Sequence, residues 1–418
     1  MFDESELQEI RSKFHYVDTD VTGQSRIYFD NAGGAFRLKS AEEAFHKIDS
    51  IPDCSERQHR MALYLQEIEE QGRKDASIIF NSHKGAIYPG YTASQVMFDI
   101  IRVISENAAG SNMVTSILEH PSAFDSITNY AAKHKCELRV ATSNPLTGGV
   151  DADSIIKLID QNTAILSVMG ASNVSGYIYD IPKIVAMARE INPDMYIIID
   201  AVQHAPHGIL DVSAVQVDAM TIAPYKFFGV RGFGLAYLSE RAAKLAHHKL
   251  NGKNESDWEL GSPAPAHYAA LTEVVNYICW LGSKDSDGSQ ERRAQFVAGM
   301  HRIENQERGL LNLLLNGTDS ALGLREMQGV HVCVDNPNLD ERDLIIGIAF
   351  DNISCERAVR EFEARNIIVY ERTNSSLYSK RMVESFKLDG MVRVSPLHCN
   401  SPEEIEMFLA ATKELTML

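Results

Sequence analysis

Two side chains in the middle of the chain have the chemistry of a covalent cofactor site. Asp200 ends the apolar run at 196–200, and Lys226 closely follows a second apolar run at 219–223. If both runs are buried parallel strands, their carboxyl ends lie at one edge of a sheet, where a carboxylate and an amine meet. A pyridoxal phosphate site requires this pair, because the lysine holds the aldehyde as a Schiff base and the acid keeps the pyridine nitrogen protonated.

The elements around this pair predict the fold class. Between about residues 75 and 240, apolar runs at 113–117, 138–141 and 164–169 alternate with helical patterns, which predicts an α/β, doubly wound domain with a mostly parallel sheet. The C-terminal third has a different rhythm and predicts a smaller α+β domain. We place the large domain at 30–265 and the small domain at 1–29 and 266–418, with an N-terminal helix and a bridging helix at 291–315.

Three loops could hold polar groups near a ligand, and each has a simpler interpretation. The Gly-containing turn at 82–94 precedes a predicted helix at 95–105, which suits either a phosphate seat or an ordinary helix cap. His120 could stack on an aromatic ring or serve the fold alone, and Asn173 could contact a cofactor oxygen or simply form a turn.

A further helix is predicted at 239–249, and a polar segment at 283–289.

Composition excludes several classes of partner. The net charge of −17 disfavours nucleic acid and anionic membrane surfaces, which need clustered Lys and Arg. The cysteines show neither CxxC nor metal-ligand spacing, so we expect no disulfide framework and no metal site; they are Cys54, Cys136, Cys279, Cys333, Cys355 and Cys399. The N-terminus lacks the pattern of a signal peptide, and no stretch approaches ~18 apolar residues, so we expect a cytoplasmic protein without a membrane span.

Several short motifs occur in an order that resembles a known family. They are Glu119-His120, 172–176 (SNVSG), 200–204 (DAVQH), 224–229 (PYKFFG), 259–262 (ELGS) and 393–395 (RVS). The set is similar to the class V aminotransferases among the fold-type I PLP enzymes, a family that includes cysteine desulfurases, selenocysteine lyases, kynureninases and isopenicillin N epimerases. The resemblance extends from Asp30 to the last helix, and it implies a PLP-dependent enzyme that acts on a small amino acid.

The resemblance implies roles for the cofactor-binding residues. Lys226 would form the Schiff base and move the Cα proton, Asp200 would pair with the pyridine N–H, and His120 would stack on the ring. Gln203 and Asn173 would hydrogen-bond the ring oxygen. The remaining contacts would come from Tyr91 and Thr92 at the phosphate, from Tyr225 beside the lysine, and from Ser262, which would reach the phosphate of a neighbouring subunit in a homodimer with shared active sites.

The resemblance also implies a substrate-binding group. Arg393 would hold the substrate α-carboxylate as a bidentate fork, and Asn31 and Arg372 would lie beside it. Specificity would depend on Tyr88, Tyr91, Tyr225 and Arg372, together with the polar loop at 374–376.

Departures from the family pattern limit the reaction. Desulfurases commonly have His where this chain has Tyr225, the usual phosphate-binding Ser is Ala223, and the loop at 371–380 has no cysteine to accept sulfur. Cys399 is expected to pack under the last helix, and Cys355 to be structural. β-Elimination of the C–S lyase type is therefore our first prediction, because it needs only Lys226 as base.

Other readings stay open. An aminotransferase and a true cysteine desulfurase are the alternatives within the family. A catalytically silent PLP-fold protein, acting as a regulator or partner subunit, is the alternative from another class. A dinucleotide-binding oxidoreductase is disfavoured, because the glycines of 229–234 (GVRGFG) are not in the order GxGxxG and precede a strand.

Overall fold

The computed structural model describes residues 1–284 and 290–418. The helices are α1 (Glu4–Ser12), α2 (Lys39–Asp49), α3 (Arg60–Phe80), α4 (Ala93–Asn107), α5 (Pro121–His134), α6 (Ala152–Ile156), α7 (Ile181–Ile191), α8 (Glu240–Ala243), α9 (Pro265–Ser283), α10 (Arg292–Asn316), α11 (Cys355–Glu363), α12 (Lys380–Ser385) and α13 (Pro402–Leu415). The strands are β1 (Ile27–Tyr28), β2 (Ala86–Gly90), β3 (Asn112–Ser116), β4 (Glu137–Ala141), β5 (Thr163–Met169), β6 (Tyr196–Asp200), β7 (Ala219–Ile222), β8 (Gly234–Leu238), β9 (Val330–Cys333), β10 (Ile346–Phe350), β11 (Ile367–Ile368), β12 (Tyr370–Thr373) and β13 (Gly390–Val394).

A seven-stranded sheet organises the first part of the chain. Its strand order is β2-β8-β7-β6-β5-β3-β4, and the run from β7 to β4 is parallel, whereas β8 pairs antiparallel with both β7 and the edge strand β2. Strands β3, β5 and β7 are buried along their whole length, as parallel strands covered on both faces are. The predicted α/β fold with a large, mostly parallel sheet is confirmed.

A second, antiparallel sheet lies in the C-terminal part. Its order is β12-β13-β10-β9, and it shares an apolar core with α10, α11 and α13. The short strand β1 pairs in parallel with β11, so the segment that leads to Asp30 is attached to the C-terminal unit. Helix α9 packs on α2, α3 and α10, and the apolar core around the large sheet includes Tyr268 and Phe296. The domain division at residue 265 stays a prediction.

Several elements differ from the sequence-based expectation. Helices α5, α9 and α12 are among the elements that were not predicted, as is strand β2, which lies inside the expected turn at 82–94. Helix α9 escaped detection because it is buried on several sides and lacks an amphipathic stripe. In β2, Pro89 is tolerated because the strand lies at the sheet edge.

The helix predicted at 239–249 is wrong beyond its first turn. Helix α8 ends at Ala243, and the carbonyl of that residue accepts a hydrogen bond from Trp258 Nε1 at 2.9 Å. The ring of His247 then stacks on Trp258 at 4.4 Å. Most of the polar segment predicted at 283–289 lies outside the described residues. None of the described helices is long and apolar enough to cross a membrane.

Candidate cofactor and substrate site

Two neighbouring cavities lie at the carboxyl ends of the parallel strands. The larger, about 400 Å³, lies against the ends of β5, β6 and β7, and we call it the sheet-edge cavity. The smaller, about 240 Å³, lies between the large sheet and the four-stranded sheet, and we call it the inter-sheet cavity. Four side chains line both cavities: His120, Asn173, Tyr225 and Lys226. A ligand that spans the two would therefore contact all four.

Lys226 lies at the junction of the two cavities. It ends a 3-10 turn, Pro224–Lys226, immediately after β7, and its side chain is buried. Nζ donates a long hydrogen bond to Gln203 Oε1 at 3.4 Å. Burial, and then the positive charge of Arg393, lower the pKa of the amine to about 8. A larger fraction of the amine is therefore neutral, and nucleophilic, near neutral pH than in an exposed lysine.

Asp200 supplies the buried carboxylate of the sheet-edge cavity. It is the last residue of β6, paired in register with Met169 and Thr221 on the adjacent strands. Its Oδ1 accepts a hydrogen bond from the Val202 amide at 3.1 Å, which leaves Oδ2 without a hydrogen bond from the described residues. Burial raises the pKa of this carboxyl above its ordinary value. A cationic N–H group in the cavity would restore the charged form.

His120 presents a neutral ring to both cavities. It caps α5, and its Nδ1 accepts a hydrogen bond from the Ser122 amide at 3.2 Å, so the ring proton is on Nε2. Burial and the nearby charges of Lys226 and Arg372 lower the pKa of the ring to about 3. This environment suits a ring that stacks on an aromatic ligand better than one that exchanges protons near pH 7.

The start of α4 forms the far end of the sheet-edge cavity. Thr92 is the N-cap, with its Oγ1 accepting from the Gln95 amide at 3.0 Å, and the unpaired amides of the first turn favour an anion. Gly234 permits this arrangement, since a Cβ there would lie 2.3 Å from the Thr92 backbone. Arg231, which sequence reasoning missed as a site residue, also lines the cavity and lies over the Tyr225 ring at 4.5 Å.

The inter-sheet cavity contains two buried arginines. Arg393 on β13 donates through Nη1 to the Asn173 carbonyl at 3.1 Å and through Nη2 to Asp30 Oδ1 at 2.6 Å. Arg372 on β12 is 7% exposed, and its Nη2 reaches the Tyr378 carbonyl only at 3.4 Å. Asp30 and Tyr378 line this cavity and were not predicted as site residues. The sequence feature that could have identified Asp30 is its place before the Gly-Gly corner at 33–34.

Two predicted residues lie outside both cavities. Asn31 is buried, and its amide joins backbone segments: Nδ2 donates to the Ser395 carbonyl at 3.1 Å, and Oδ1 accepts from the Phe36 amide at 3.2 Å. This arrangement gives Asn31 a structural contact, and the expected substrate contact stays a prediction. Ser262 is exposed on a loop and hydrogen-bonds Glu56. A role at a neighbouring subunit stays a prediction.

No cysteine lines either cavity among the described residues. Cys399 is fully buried, and burial raises the pKa of its thiol well above the ordinary range. Burial also raises the pKa of Cys355, at the start of α11, to about 11. In the part of the chain that the structure describes, no group of three or more His, Cys, Asp or Glu side chains is arranged to hold a metal ion.

The sequence profile described as aminotransferase class-V matches residues 27–408. The chain belongs to this family. The class-V aminotransferases are PLP-dependent enzymes, and the geometry around Lys226 and Asp200 is consistent with that membership. The predicted resemblance to this family is confirmed.

Two curated relatives of the chain are named as cysteine desulfurases. A probable cysteine desulfurase of Mycoplasma genitalium is 26% identical over 240 residues, which is 54% of this chain and 56% of that protein. A cysteine desulfurase of Salmonella choleraesuis is 25% identical over 298 residues, covering 66% of this chain and 72% of the relative.

Solved structures share the fold of the chain. The cysteine desulfurase CsdA of Escherichia coli superposes with a TM-score of 0.79 at 18% identity, and each chain is covered over 100% of its length. The apo cysteine desulfurase of Thermococcus onnurineus gives a TM-score of 0.77 at 20% identity, with 94% of this chain and 95% of the other covered. At sequence identities this low, the structural similarity establishes the shared fold alone.

Proposed function

We propose that this protein binds pyridoxal phosphate and catalyses β-elimination from a small amino acid, in the manner of a C–S lyase. One observation carries the proposal. The buried amine of Lys226 lies between a carboxylate, Asp200, and a carboxylate-binding guanidinium, Arg393, while no cysteine lines the cavities among the described residues. The base and the substrate anchor are present, but a thiol that could accept sulfur is not beside them.

The sheet-edge cavity fits the cofactor. Asp200 has a free Oδ2 for the pyridine N–H, His120 offers a neutral ring for stacking, and Gln203 lies within reach of the lysine. The buried Oδ1 of Asn173 has no hydrogen-bond partner in the described chain, as expected of an amide that awaits a ligand. The first turn of α4 with Thr92, together with Arg231, would hold the phosphate.

Each residue then has a defined task. Bound pyridoxal phosphate would supply an aldehyde for the lysine and an electron sink for the bond electrons at Cα. Asp200 keeps the proton on the pyridine nitrogen, and Arg393 orients the substrate through its α-carboxylate. Lys226 Nζ takes the Cα proton, and the Cβ–leaving-group bond breaks with its electron pair on the leaving group. The balanced reaction converts the amino acid and one water into pyruvate, ammonia and the protonated leaving group.

Cysteine desulfuration is the second candidate, because the relatives named above carry that activity in their names. Tyr225 indicates a proton transfer unlike that of a desulfurase with His at this position. Burial raises the pKa of its phenol, so the side chain beside Lys226 stays protonated and is a poor base at neutral pH. Transamination needs the same lysine and acid plus a keto-acid acceptor, and a silent PLP-fold protein would bind the cofactor without turnover.

The test begins with the cofactor. We expect the purified protein, after reconstitution, to absorb in the visible region, and Lys226→Ala to lose that band. The protein is then incubated with L-cysteine, L-cystine and other amino acids while pyruvate, alanine and sulfide are measured. Pyruvate supports elimination. Alanine with persulfide identifies a desulfurase, keto-acid-dependent turnover an aminotransferase, and a coloured but inactive protein the silent alternative.

We also propose a cytoplasmic homodimer in which Ser262 of one subunit reaches the phosphate site of the other. The exposed position of Ser262 outside its own cavities supports this arrangement. Sedimentation gives the oligomeric state. Mixed dimers of Lys226→Ala and Ser262→Ala chains test the sharing: if sites are shared, one of the two sites in each mixed dimer carries both changes and the other carries neither, so activity is regained on mixing.

A further inference from the structure

The pairing of two strands places two arginines on one face of the four-stranded sheet. Tyr370 on β12 lies opposite Arg393 on β13 in the antiparallel register, and Arg372 is two residues further along β12. Side chains two residues apart on a strand share a face, so Arg372 is the diagonal neighbour of Arg393. Both line the inter-sheet cavity beside Lys226.

Both guanidinium groups are buried and incompletely hydrogen-bonded. Arg372 is 7% exposed and Arg393 is 3% exposed, and the Nε of each has no hydrogen-bond partner in the described chain. The hydrogen bond from Arg372 to the Tyr378 carbonyl, at 3.4 Å, is long. Buried N–H donors are nearly always satisfied in native proteins, so two orphaned ones at the same cavity indicate ligand contacts.

The charges of the cavity are not balanced by the protein. Asp30 forms an ion pair with Arg393 at 2.6 Å, whereas Arg372 forms no ion pair with any described residue. Burial, and then the charge of Arg393, lower the pKa of Arg372 to about 10, so the group remains charged at neutral pH. A buried charge without a partner is costly, and an anion from the ligand would remove that cost.

We propose that the substrate is an L-amino acid whose side chain ends in a second acidic group, which Arg372 binds while Arg393 holds the α-carboxylate. This inference rests on the proposed function, since it takes the substrate to be an amino acid held at Lys226. The shared chemistry is an anionic side-chain terminus, whether carboxylate, phosphate or an oxidised sulfur acid. Loop 371–380, which lacks a cysteine, thus contributes a cation to the same region of the site.

A purely structural role for Arg372 makes a different prediction. If the guanidinium only orders the loop through the Tyr378 carbonyl, its removal would weaken every ligand by a similar factor. If it binds the side-chain acid, its removal would weaken diacids alone. The ratio of two affinities therefore separates the two roles.

The test measures binding to the holoenzyme by isothermal titration calorimetry, with succinate as the diacid and butyrate as the monoacid. We expect the wild type to prefer succinate by at least about tenfold, as a charge-assisted contact provides. Arg372→Gln should bring the ratio close to one with butyrate affinity unchanged, and Arg372→Lys should give an intermediate ratio, because it keeps the charge and loses the fork. The matched control is Lys380→Gln, which removes an exposed cation from the same segment and should leave the ratio unchanged.

Turnover identifies the acid. Pyruvate formation from O-phospho-L-serine is compared with that from L-serine, and formation from S-sulfo-L-cysteine with that from L-cysteine. Equal affinity of the wild type for succinate and butyrate, or a parallel loss of both in Arg372→Gln, would overturn the inference. A succinate preference that depends on Arg372, in a protein that makes no pyruvate from any amino acid, would support the anion site and refute β-elimination.

Discussion

The two cavities are built in different ways. The sheet-edge cavity lies against the ends of parallel strands, and its principal groups, Asp200 and Lys226, follow strands that are neighbours in the sheet. The inter-sheet cavity combines groups from distant parts of the chain, such as Asp30, Arg372 and Arg393. Sheet topology thus defines the proposed cofactor end, whereas the packing of the two sheets defines the proposed substrate end. The departures from the desulfurase pattern fall at both cavities: Ala223 lines the first, Tyr225 lines both, and the loop without a cysteine lies at the second.

Removal of the amine should have the largest effect. Lys226→Ala is expected to lower turnover by at least about 10³-fold, since a positioned acid–base group and the covalent anchor are both lost. The visible absorbance should disappear with it. Lys244→Ala, at an exposed lysine, is the control and should keep both. Full colour in Lys226→Ala would place the covalent anchor elsewhere.

Asp200→Asn should damage the sheet-edge cavity selectively. We expect kcat to fall by about 10- to 100-fold, the size of a lost charge-assisted hydrogen bond, because the pyridine nitrogen would lose the group that keeps its proton. The absorbance spectrum of the bound cofactor should change, and the KM should change little. A KM effect larger than the kcat effect would contradict this assignment.

Arg393→Lys should show the opposite pattern. The ammonium keeps the charge but cannot make the bidentate contact, so KM should rise by about tenfold while the visible spectrum stays the same. Steady-state kinetics and absorbance spectra of the same preparations check both parts. Together with Asp200→Asn, this variant separates the two cavities; a spectral change in Arg393→Lys would show that they act as one.

The pKa of Lys226 predicts how the apoprotein captures the cofactor. Only the neutral amine attacks an aldehyde, and the pKa of Lys226 is lowered to about 8. The capture rate should therefore rise as pH increases, by about tenfold per unit well below pH 8, and level off above it, whereas an exposed lysine with a pKa of about 10.4 continues to gain. Stopped-flow absorbance from pH 6 to 10 measures this. A rate that still rises steeply at pH 10 would remove the argument that burial activates the amine.

A buried pair behind the site predicts a smaller, pH-dependent effect. His207 Nδ1 lies 2.7 Å from Glu307 on α10, and this carboxylate outweighs burial and raises the pKa of the histidine to about 9. Because the folded pKa is raised above the unfolded value of about 6.5, the stabilisation is complete below pH 6.5 and is lost as pH rises through 9.

Denaturant unfolding of the wild type and His207→Asn measures that contribution. The difference in free energy of unfolding should be largest near pH 6 and should shrink towards pH 10. His301→Asn, at an exposed histidine, should show no such trend. A difference that is independent of pH would mean that the pair is not charged in the folded protein. For the comparison of the two cavities, we expect His207→Asn to raise the KM and to leave the absorbance of the bound cofactor nearly unchanged. The reason is that the change loosens the contact between His207 and Glu307 on α10.

Elements were predicted correctly where a short stretch of sequence carries its own pattern. Strands β3, β5 and β6 and helix α13 were recognised because each has its own apolar pattern, and Asp200 and Lys226 could be placed at strand ends from those patterns. Helix α9 was missed because it is buried on several sides. Arg231 was missed as a site residue because nothing in its neighbours indicates that it lines a cavity, and Asp30 was missed because the Gly-Gly corner that follows it also suits an ordinary turn.

By itself, the sequence determined the parallel sheet, the carboxylate and amine at its edge, the membership of the class-V aminotransferase family, and the loop without a cysteine. These properties are local, since they depend on the apolar periodicity of single segments and on motifs within a few residues. The tertiary structure alone decided that Arg372 and Arg393 share one face, that Asp30 is the partner of only one of them, and that Asn31 is used within the fold. Strand register and the packing of distant segments determine such contacts, and neither can be inferred from a single segment of the sequence.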